Sequence, residues 1–338
     1  MTPDDVVKAA AARRVGVVVI GRNEGERLVR CLDSLVNRAA SVVYVDSGST
    51  DGSVTMSRGK GVDVVELDTT KPFTAARARN AGFDRLIERF PDTPYVMFVD
   101  GDCEVRDGWL AAAASVLDSQ ADRAVVFGRL RERFPEASIY NRLCDLEWDV
   151  PSGIVPACGG ISVMRASAFR TMNGFDPAVI AGEEPELCVR LRGAGWTIEK
   201  LDAEMALHDA SMTRFSQWWK RTVRAGHSYA EGAALHGITS RHFVRESLSV
   251  WAWGFVLPVV AIAGAYFTHG WSLLLLLAYP LLIAKITLRR RRERDEPWSW
   301  SLLYAAACVI AKPAMWLGQL RYLLRRATGA QPKIIEHK

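Results

Sequence analysis

Phe98-Val99-Asp100-Gly101-Asp102 closes the apolar run Tyr95–Val99, which the sequence predicts to be a buried β-strand. The two carboxylates are separated by one residue at the end of this strand, so both side chains can point to the same side. Divalent cations such as Mg2+ and Mn2+ prefer oxygen ligands and are often shared with phosphate groups. Asp100 and Asp102 are therefore candidate metal ligands, although an ordinary solvated turn carries the same residue types.

Strands and helices alternate on either side of this stretch. This alternation predicts an α/β fold with a mostly parallel central sheet that helices cover on both faces. Ligands of such sheets bind at the carboxyl ends of the strands, so the residues directly after each strand are the candidates for function. The strands predicted in the first half are Val15–Ile20, Ser41–Val45, Val62–Leu67 and Tyr95–Val99, with a helix over Phe73–Phe90.

The pattern is looser after Ala124, and this half is expected to supply the second substrate's side of a cleft. An irregular aromatic segment is predicted around Tyr140 and Trp148. The other predicted elements are strands Val125–Arg133 and Thr197–Leu201, a short strand through Met164, and helices Glu183–Arg192 and Phe215–Leu235.

Length and composition indicate a large globular domain with a more apolar appendage, since 49% of the 338 residues are apolar and 24% are charged. The net charge of +5 owes much to arginines near the C-terminus, where a membrane surface is a better partner than nucleic acid. The six cysteines form no CxxC pair, which argues against a zinc or redox motif. The first residues lack a basic region followed by an apolar core, so we expect no signal peptide and a cytosolic globular part.

The C-terminal part contains three long apolar segments, at about 248–267, 271–288 and 298–320. The first two reach the roughly 20 residues that cross a bilayer. The sequence therefore predicts a cytosolic domain over 1–245 and a membrane-anchoring helical region with a basic tail over 246–338.

The arginine-rich loop Arg289–Arg294 sets the expected orientation. By the positive-inside rule this loop lies on the cytoplasmic side, and so does the large N-terminal domain. We therefore expect the chain in a bacterial-type inner membrane. Pro313 is predicted to break the third apolar segment. If that segment spans, its basic end at Arg325 lies outside, so spanning, re-entrant and interfacial positions all stay open.

Polar residues follow a second predicted strand, in Tyr44-Val45-Asp46-Ser47-Gly48-Ser49-Thr50-Asp51-Gly52. Carboxylates, hydroxyls and free backbone amides at a strand end can hold the base and ribose of a nucleotide. The alternative interpretation is an ordinary polar turn.

A third polar cluster is Gly182-Glu183-Glu184-Pro185-Glu186, at the start of a predicted helix. Acidic residues stabilise a helix N-terminus, and Pro185 suits a first turn. The functional alternative is a general base held at a cleft.

In their order along the chain, these motifs resemble the family 2 glycosyltransferases with a GT-A fold. The resemblance extends from Val15 to about Glu231. The ordered motifs are Asn23-Glu24, the Val45–Gly52 loop, Ala78-Arg79-Asn80-Ala81-Gly82, Val99–Asp102 and Gly182–Arg192.

The resemblance implies inverting transfer of a sugar from a nucleotide-sugar donor. Asp100 and Asp102 resemble the pair that binds Mg2+ or Mn2+ and, through it, the donor diphosphate. Glu184 stands where the family has a catalytic aspartate, with Glu183 as the reserve base. The residues similar to donor-binding positions are Asp46, Ser47, Asp51, Glu24, Asp100 and Arg77 or Arg79, with Ser47 in place of the second aspartate that many members have.

Two further sets of residues have alternative interpretations. His208 is a candidate third metal ligand or donor-phosphate contact, and a structural histidine is the alternative. Trp218-Trp219-Lys220-Arg221 partly resembles the QxxRW signature of processive synthases and offers contacts for an acceptor sugar or a diphosphate. A helix lying on the membrane interface explains these residues equally well.

The expected function is transfer to a lipid-linked or saccharide acceptor in surface polysaccharide or glycolipid synthesis, with membrane lipids as partners and no nucleic acid. A processive synthase is one alternative, although three apolar segments are few for a polymer channel. A non-catalytic membrane scaffold is another. A sugar nucleotidyltransferase is the third, and Gly21–Gly25 only weakly resembles its phosphate loop.

Overall fold

The computed structural model describes residues 9–329, which form two compact units. The first comprises residues 9–134 and 148–211, and the second comprises residues 135–147 and 212–329. Residues 1–8, on which the expectation of no signal peptide rests, lie outside the described part. The predicted boundary between 245 and 246 stays a prediction.

The first unit is built on a mixed nine-stranded sheet with the order β3-β2-β1-β4-β8-β6-β9-β5, and β7 pairs with β9. Strands β1 to β4, β6 and β9 share one direction, which confirms the α/β fold with a mostly parallel sheet. The strands are β1 Val15–Gly21, β2 Ser41–Asp46, β3 Asp63–Glu66, β4 Tyr95–Asp100, β5 Cys103–Val105, β6 Arg123–Glu132, β7 Gly153–Val155, β8 Ser162–Arg165 and β9 Thr197–His208.

The helices of this unit pack on the sheet against the β-branched side chains of its strands. The helix predicted over Phe73–Phe90 runs from Ala75 to Arg89, and the Thr74 side chain caps it by accepting from the Arg77 amide at 3.1 Å. A Cβ on Gly82 would lie 2.3 Å from Val18, so only glycine permits this close packing on β1. The helices of the first unit are α1 Glu26–Asp33, α2 Ser53–Gly59, α3 Ala75–Arg89, α4 Trp109–Ser119, α6 Ala166–Thr171 and α7 Glu183–Gly193.

Two predicted elements of the second half are wrong. The segment around Tyr140 is not irregular but forms helix α5, Ile139–Glu147, in the second unit. The strand predicted to end at Leu201 continues to His208 as β9. Register shifts between β6 and β9 interrupt the alternation of apolar residues in this part of the sheet. The polar residues after Leu201 therefore do not show the alternating pattern that predicts a strand.

The second unit is helical. Besides α5 it contains α8 Phe215–Ser240, α9 Val244–Phe267, α10 Trp271–Glu293 and α11 Trp298–Thr328. Helices α9, α10 and α11 are long and apolar enough to cross a membrane. This confirms that the C-terminal region is helical with three candidate membrane helices.

Pro313 does not break α11, so that prediction is wrong. The helix continues through this residue for 31 residues. A proline inside an apolar helix is tolerated where a neighbouring helix compensates for the disturbed backbone. Here Gly254 of α9 approaches so closely that a Cβ on it would lie 2.5 Å from the carbonyl oxygen of Lys312.

Candidate active site

The site residues gather at the carboxyl ends of the parallel strands. In the sheet register, Gly21 of β1 pairs with Asp46 of β2, and Ile20 pairs with Asp100 of β4. Gly101 continues this edge, since its amide donates to the Ile20 carbonyl at 2.8 Å. The two aspartates therefore stand at the same level on either side of β1, as the fold predicts.

Asp46 is buried and organises the loop that follows β2. Its Oδ1 accepts from the Tyr44 hydroxyl at 2.8 Å, and its Oδ2 accepts from the amides of Gly48 and Ser49 at 2.9 and 2.7 Å. Ser47 is half-buried, and its amide donates to the Gly21 carbonyl at 3.0 Å. This carboxylate fixes the shape of the loop against the end of β1.

Asp51 joins the same loop to the turn after β1. It accepts from the Gly25 amide at 3.0 Å and from the Ser53 hydroxyl at 2.6 Å. Burial opposes its ionisation, but these hydrogen bonds hold the pKa of Asp51 below its ordinary value. Asn23 adds a bond from the Thr50 amide at 2.7 Å. The two loops are thus tied together by charged and amide side chains.

Glu24 lies in the turn after β1 and is buried. Its Oε2 lies 2.7 Å from the Arg27 guanidinium. A Cβ on Gly101 would stand 3.4 Å from the Glu24 side chain, so this residue borders the stretch that carries Asp100 and Asp102.

Arg79 of α3 collects three carboxylates in the first unit. Its Nη1 lies 2.6 Å from both Glu183 and Glu184, and its Nη2 lies 3.0 Å from Asp100 and 3.3 Å from the Gly160 carbonyl. The Arg79 side chain is 3% exposed, whereas that of Asp100 is 37% exposed. A single buried cation thus connects a strand end with the start of α7, and Asp100 forms the accessible edge of the cluster.

Glu184 has an unusual protonation equilibrium. Burial and the neighbouring Glu183 carboxylate raise the pKa of Glu184 to about 7, although Arg79 acts in the opposite direction. Its Oε1 and the Asp100 Oδ2 lie 3.3 and 3.5 Å from the point where a Cβ on Gly160 would stand. Glu184 and Asp100 therefore converge on Gly160, where a side chain would crowd them and Arg79.

Asp102 belongs to a neighbouring group with Cys103 and His208, whose ligand atoms all lie within 4.8 Å of one another. His208 Nε2 is 3.5 Å from Asp102 Oδ1, and His208 Nδ1 is 3.7 Å from Glu132 Oε2. Burial opposes protonation, but the charge of Asp102 and then Glu132 raise the pKa of His208 above its ordinary value. The imidazole thus lies between two carboxylates, one on each ring nitrogen.

Arg77 takes a different place from Arg79. Its guanidinium donates to the backbone carbonyls of Asp68, Lys71 and Pro72. It therefore shapes the loop before α3, and its predicted contact with a diphosphate stays a prediction.

The QxxRW-like residues lie in the second unit, on α8. Trp218 is buried and packs 5.7 Å from the Phe215 ring, while Trp219 packs 5.6 Å from the same ring. Arg221 pairs with Glu147 at 2.6 Å, and Lys220 is exposed. Their predicted contacts with an acceptor or diphosphate stay predictions.

Sequence reasoning missed Glu132 and Cys103. The sheet register places both opposite His208, Glu132 on β6 and Cys103 on β5. Glu132 lies inside a predicted strand, so only the pairing of that strand with β9 identifies it. Burial and the adjacent Asp102 charge raise the pKa of Cys103 far above its ordinary value, so its thiol stays protonated.

Known proteins share sequence and fold with this chain. Residues 16–170 match the model described as Glycosyl transferase family 2. The pre-mycofactocin glycosyltransferase of Mycobacterium tuberculosis is 28% identical over 258 residues, which cover 71% of this chain and 52% of that protein. The chain thus spans about half the length of the curated relatives it matches.

Among solved structures, the mannosyltransferase PcManGT from Pyrobaculum calidifontis, in complex with GDP-Man and Mn2+, superposes with a TM-score of 0.51 at 18% identity. The match covers 94% of this chain and 86% of that one. The likeness confirms the GT-A-like fold predicted from the sequence.

Proposed function

We infer that the chain is a glycosyltransferase, because its residues 16–170 match the model of glycosyl transferase family 2. We propose that it moves a sugar from a nucleotide-sugar donor to an acceptor, with a divalent metal and with inversion at the anomeric carbon. The similarity to one glycosyltransferase and the fold shared with another, solved with GDP-Man and Mn2+, support this proposal.

The Arg79 cluster is the observation that carries the proposal. A sugar hydroxyl becomes a good nucleophile only when a base takes its proton, and such a base works best with a pKa near the operating pH. Glu184 has a pKa raised to about 7, and it lies beside Gly160 together with Asp100, whose side chain is 37% exposed. We assign Glu184 as the base, with Glu183 in reserve, and Arg79 as the group that holds both in place.

The group around Asp102 fits a divalent metal. Asp102 Oδ1 and His208 Nε2 lie 3.5 Å apart, close enough for both atoms to contact one cation. Oxygen ligands suit Mg2+ or Mn2+, whereas the soft sulfur of Cys103 does not. Asp102 and His208 would hold the ion together with Asp100. A bound ion supplies electrostatic stabilisation of the diphosphate as it leaves.

The chain's own residues divide the remaining work. We assign the base and ribose of the donor to the loop that Asp46 organises, which includes Ser47 and Asp51. Glu184 accepts the proton of the acceptor hydroxyl, which then attacks the anomeric carbon opposite the leaving diphosphate. Attack from the opposite side inverts that carbon.

We propose that the helices of the second unit anchor the protein to a membrane. Three helices of suitable length and composition lie in one region of the chain, so the acceptor is proposed to be lipid-linked or a saccharide close to the bilayer. Assembly of surface polysaccharide or glycolipid on the cytosolic face of a bacterial-type inner membrane fits this arrangement. The arginines of Arg289–Arg294 support that orientation.

The test is nucleotide release from a panel of nucleotide-sugars, measured on the full chain in detergent with Mn2+, Mg2+ or chelator. We expect release from at least one donor that requires metal and is lost in Asp102→Ala. Asp33→Ala removes a carboxylate that pairs with Lys60 on the surface and should leave release unchanged.

Three results would count against the proposal. The absence of nucleotide release from every donor would indicate a non-catalytic scaffold. Nucleotide release in the presence of chelator would contradict the proposed metal dependence. A long polymer as product would favour a processive synthase.

A further inference from the structure

Helix α11 presents a continuous apolar stripe along its whole length. Leu302, Ile310 and Leu324 recur at helical spacing and are 52%, 53% and 57% exposed. The positions between them on the same side are Ala306, Pro313 and Leu317. Within the part of the chain that the structure describes, no element covers this stripe.

The opposite side of α11 is packed against α8 at backbone distance. A Cβ on Gly318 would lie 2.0 Å from the Val223 carbonyl oxygen, and a Cβ on Gly226 would lie 2.0 Å from that of Met315. The crossing of two glycines brings the helices into direct contact, as small residues do between close helices. This part of α11 therefore lies at the same depth as α8.

Helix α8 lacks the apolar composition of a membrane-spanning helix. It carries ionisable side chains through its length, and only α9, α10 and α11 have the apolar composition to cross a bilayer among the described helices. Glu231 of α8 lies 3.5 Å from Arg325 of α11, so an ion pair fixes the end of the contact. Because charged groups are costly in hydrocarbon, Met315 to Arg325 lies outside the bilayer core or at its edge.

The beginning of α11 is held by polar groups as well. Arg142 of α5 stacks 4.2 Å from the Trp300 ring, and Ser301 donates to Glu296 at 2.6 Å. Glu296 pairs with Arg290, which also donates to the Leu146 carbonyl of α5 at 3.2 Å. This end is therefore tied to the polar helix α5.

The distance between the two attachment points is too short for a crossing. Ser301 and Met315 are 14 positions apart in one helix, which is about 21 Å at about 1.5 Å per residue. The hydrocarbon core is about 30 Å thick. Hence the part of α11 between Ser301 and its packing contact with α8 at Met315 does not traverse it.

We propose that α11 lies in the plane of the membrane interface, with the stripe Leu302–Ile310–Leu324 facing the acyl chains of one leaflet. Only α9 and α10 then cross, as a hairpin. Both ends of this hairpin are attached to polar helices, since Ser247 donates to the Tyr229 carbonyl of α8 at 3.0 Å and Arg290 binds α5. The basic end of α11 consequently stays on the side where the hairpin begins.

The leaflet is the occupant that this surface favours. Trp251, near the start of α9, packs 6.0 Å from the Trp316 ring of α11, and tryptophan gathers at the interface of a bilayer. Arg321 and Arg326 are exposed at the C-terminal end of α11, where anionic headgroups attract them. Helix α11 also packs against α9, where a Cβ on Gly254 would lie 2.5 Å from the Lys312 carbonyl oxygen.

The test is the labelling of single added cysteines by an impermeant maleimide, in right-side-out and in inverted vesicles containing the full chain. Asp295→Cys and Thr328→Cys, at the two ends of α11, should react from the same side. Thr268→Cys, between α9 and α10, should react from the other side. Five native cysteines are buried and Cys308 is half-buried, so the parent chain gives the background.

A spin label on Ile310→Cys tests the lipid contact. In vesicles of phosphatidylethanolamine and phosphatidylglycerol we expect relaxation by oxygen to exceed relaxation by a water-soluble nickel complex. A label on Asp295→Cys should show the reverse. Labelling of Asp295→Cys and Thr328→Cys from opposite sides would overturn the interfacial position, and a disulfide-linked dimer through Ile310→Cys would assign the stripe to a second copy instead. Neither result depends on sugar transfer.

Discussion

Gly160→Ala adds one methyl group at the centre of the proposed active site. The new Cβ would lie 2.9 Å from Arg79 Nη2 and 3.3 Å from Glu184 Oε1. Such atoms ordinarily touch at about 3.5 Å, so Arg79 would have to withdraw by about 0.6 Å. Its guanidinium is buried and holds Asp100 at 3.0 Å and both glutamates at 2.6 Å, so a shift displaces the whole cluster.

The expected loss of kcat is about 10²-fold, because a misplacement near 1 Å in an active site costs about that much. Overpacking should also lower the free energy of unfolding by about 1–3 kcal/mol. Gly159→Ala is the matched control, since no atom lies within 4 Å of its added Cβ. Nucleotide release and thermal unfolding would be measured on both variants. Full activity in Gly160→Ala would show that Arg79, Glu184 and Asp100 do not form the reacting site.

Three other perturbations address separate parts of the site. Arg79→Met leaves three carboxylates without their cation and should lower the free energy of unfolding by about 3–5 kcal/mol, measured by thermal or chemical unfolding. The loss should be smaller at acidic pH, where the carboxylates are protonated. Arg85→Met at the surface should change stability little, and equal losses in the two variants would refute the prediction. The value of kcat/KM should rise with pH up to about 7, where Glu184 ionises. Glu183→Gln should shift this rise to lower pH, because it removes a charge that raises the pKa of Glu184. An unshifted profile would argue against Glu184 as the base. Glu132→Gln should weaken Mn2+ binding about 10–100-fold in an electron paramagnetic resonance titration, because Glu132 orients His208. Glu199→Gln, whose carboxylate pairs with Arg123, should leave Mn2+ affinity unchanged. Unchanged affinity in Glu132→Gln would show that Glu132 has no role at the metal.

Local sequence patterns predicted the parallel half of the sheet well. The β-branched run of β1 contains Val15, Val17, Val18 and Val19, all completely buried, and short apolar runs of this kind are typical of central parallel strands. The candidate residues after β2 and β4 followed directly from the ends of these strands. Neighbouring strands bring such residues together whatever their distance in sequence.

The Arg79 cluster was only partly predictable. Arg79 is separated by 104 and 105 positions from Glu183 and Glu184, and nothing in the local pattern tells that one guanidinium binds both. The sequence predicted a contact of Arg79 with the donor diphosphate, and the structure shows Arg79 paired with three carboxylates. That pairing depends on how α7 packs beside α3, which is a property of the tertiary fold.

Irregular pairing explains what the sequence hid around His208. Glu132 is opposite His208 only because β6 and β9 shift register along their length. A strand with such bulges loses its period of two, so the continuation of β9 beyond Leu201 could not be read from alternation. The prediction that Pro313 breaks α11 also failed because it ignored a tertiary contact. Gly254 of α9 packs against the turn that precedes Pro313.

Sugar transfer by Glu184→Gln, measured beside its binding of the same nucleotide-sugar with Mn2+, examines the assigned base most directly. The amide keeps the size of the carboxylate but does not take a proton at this step. Transfer should fall at least about 10²-fold, within the range that general-base catalysis supplies, while donor affinity stays within about threefold. Normal turnover in Glu184→Gln would contradict the assignment of the base and, with it, the chemical role of the Arg79 cluster.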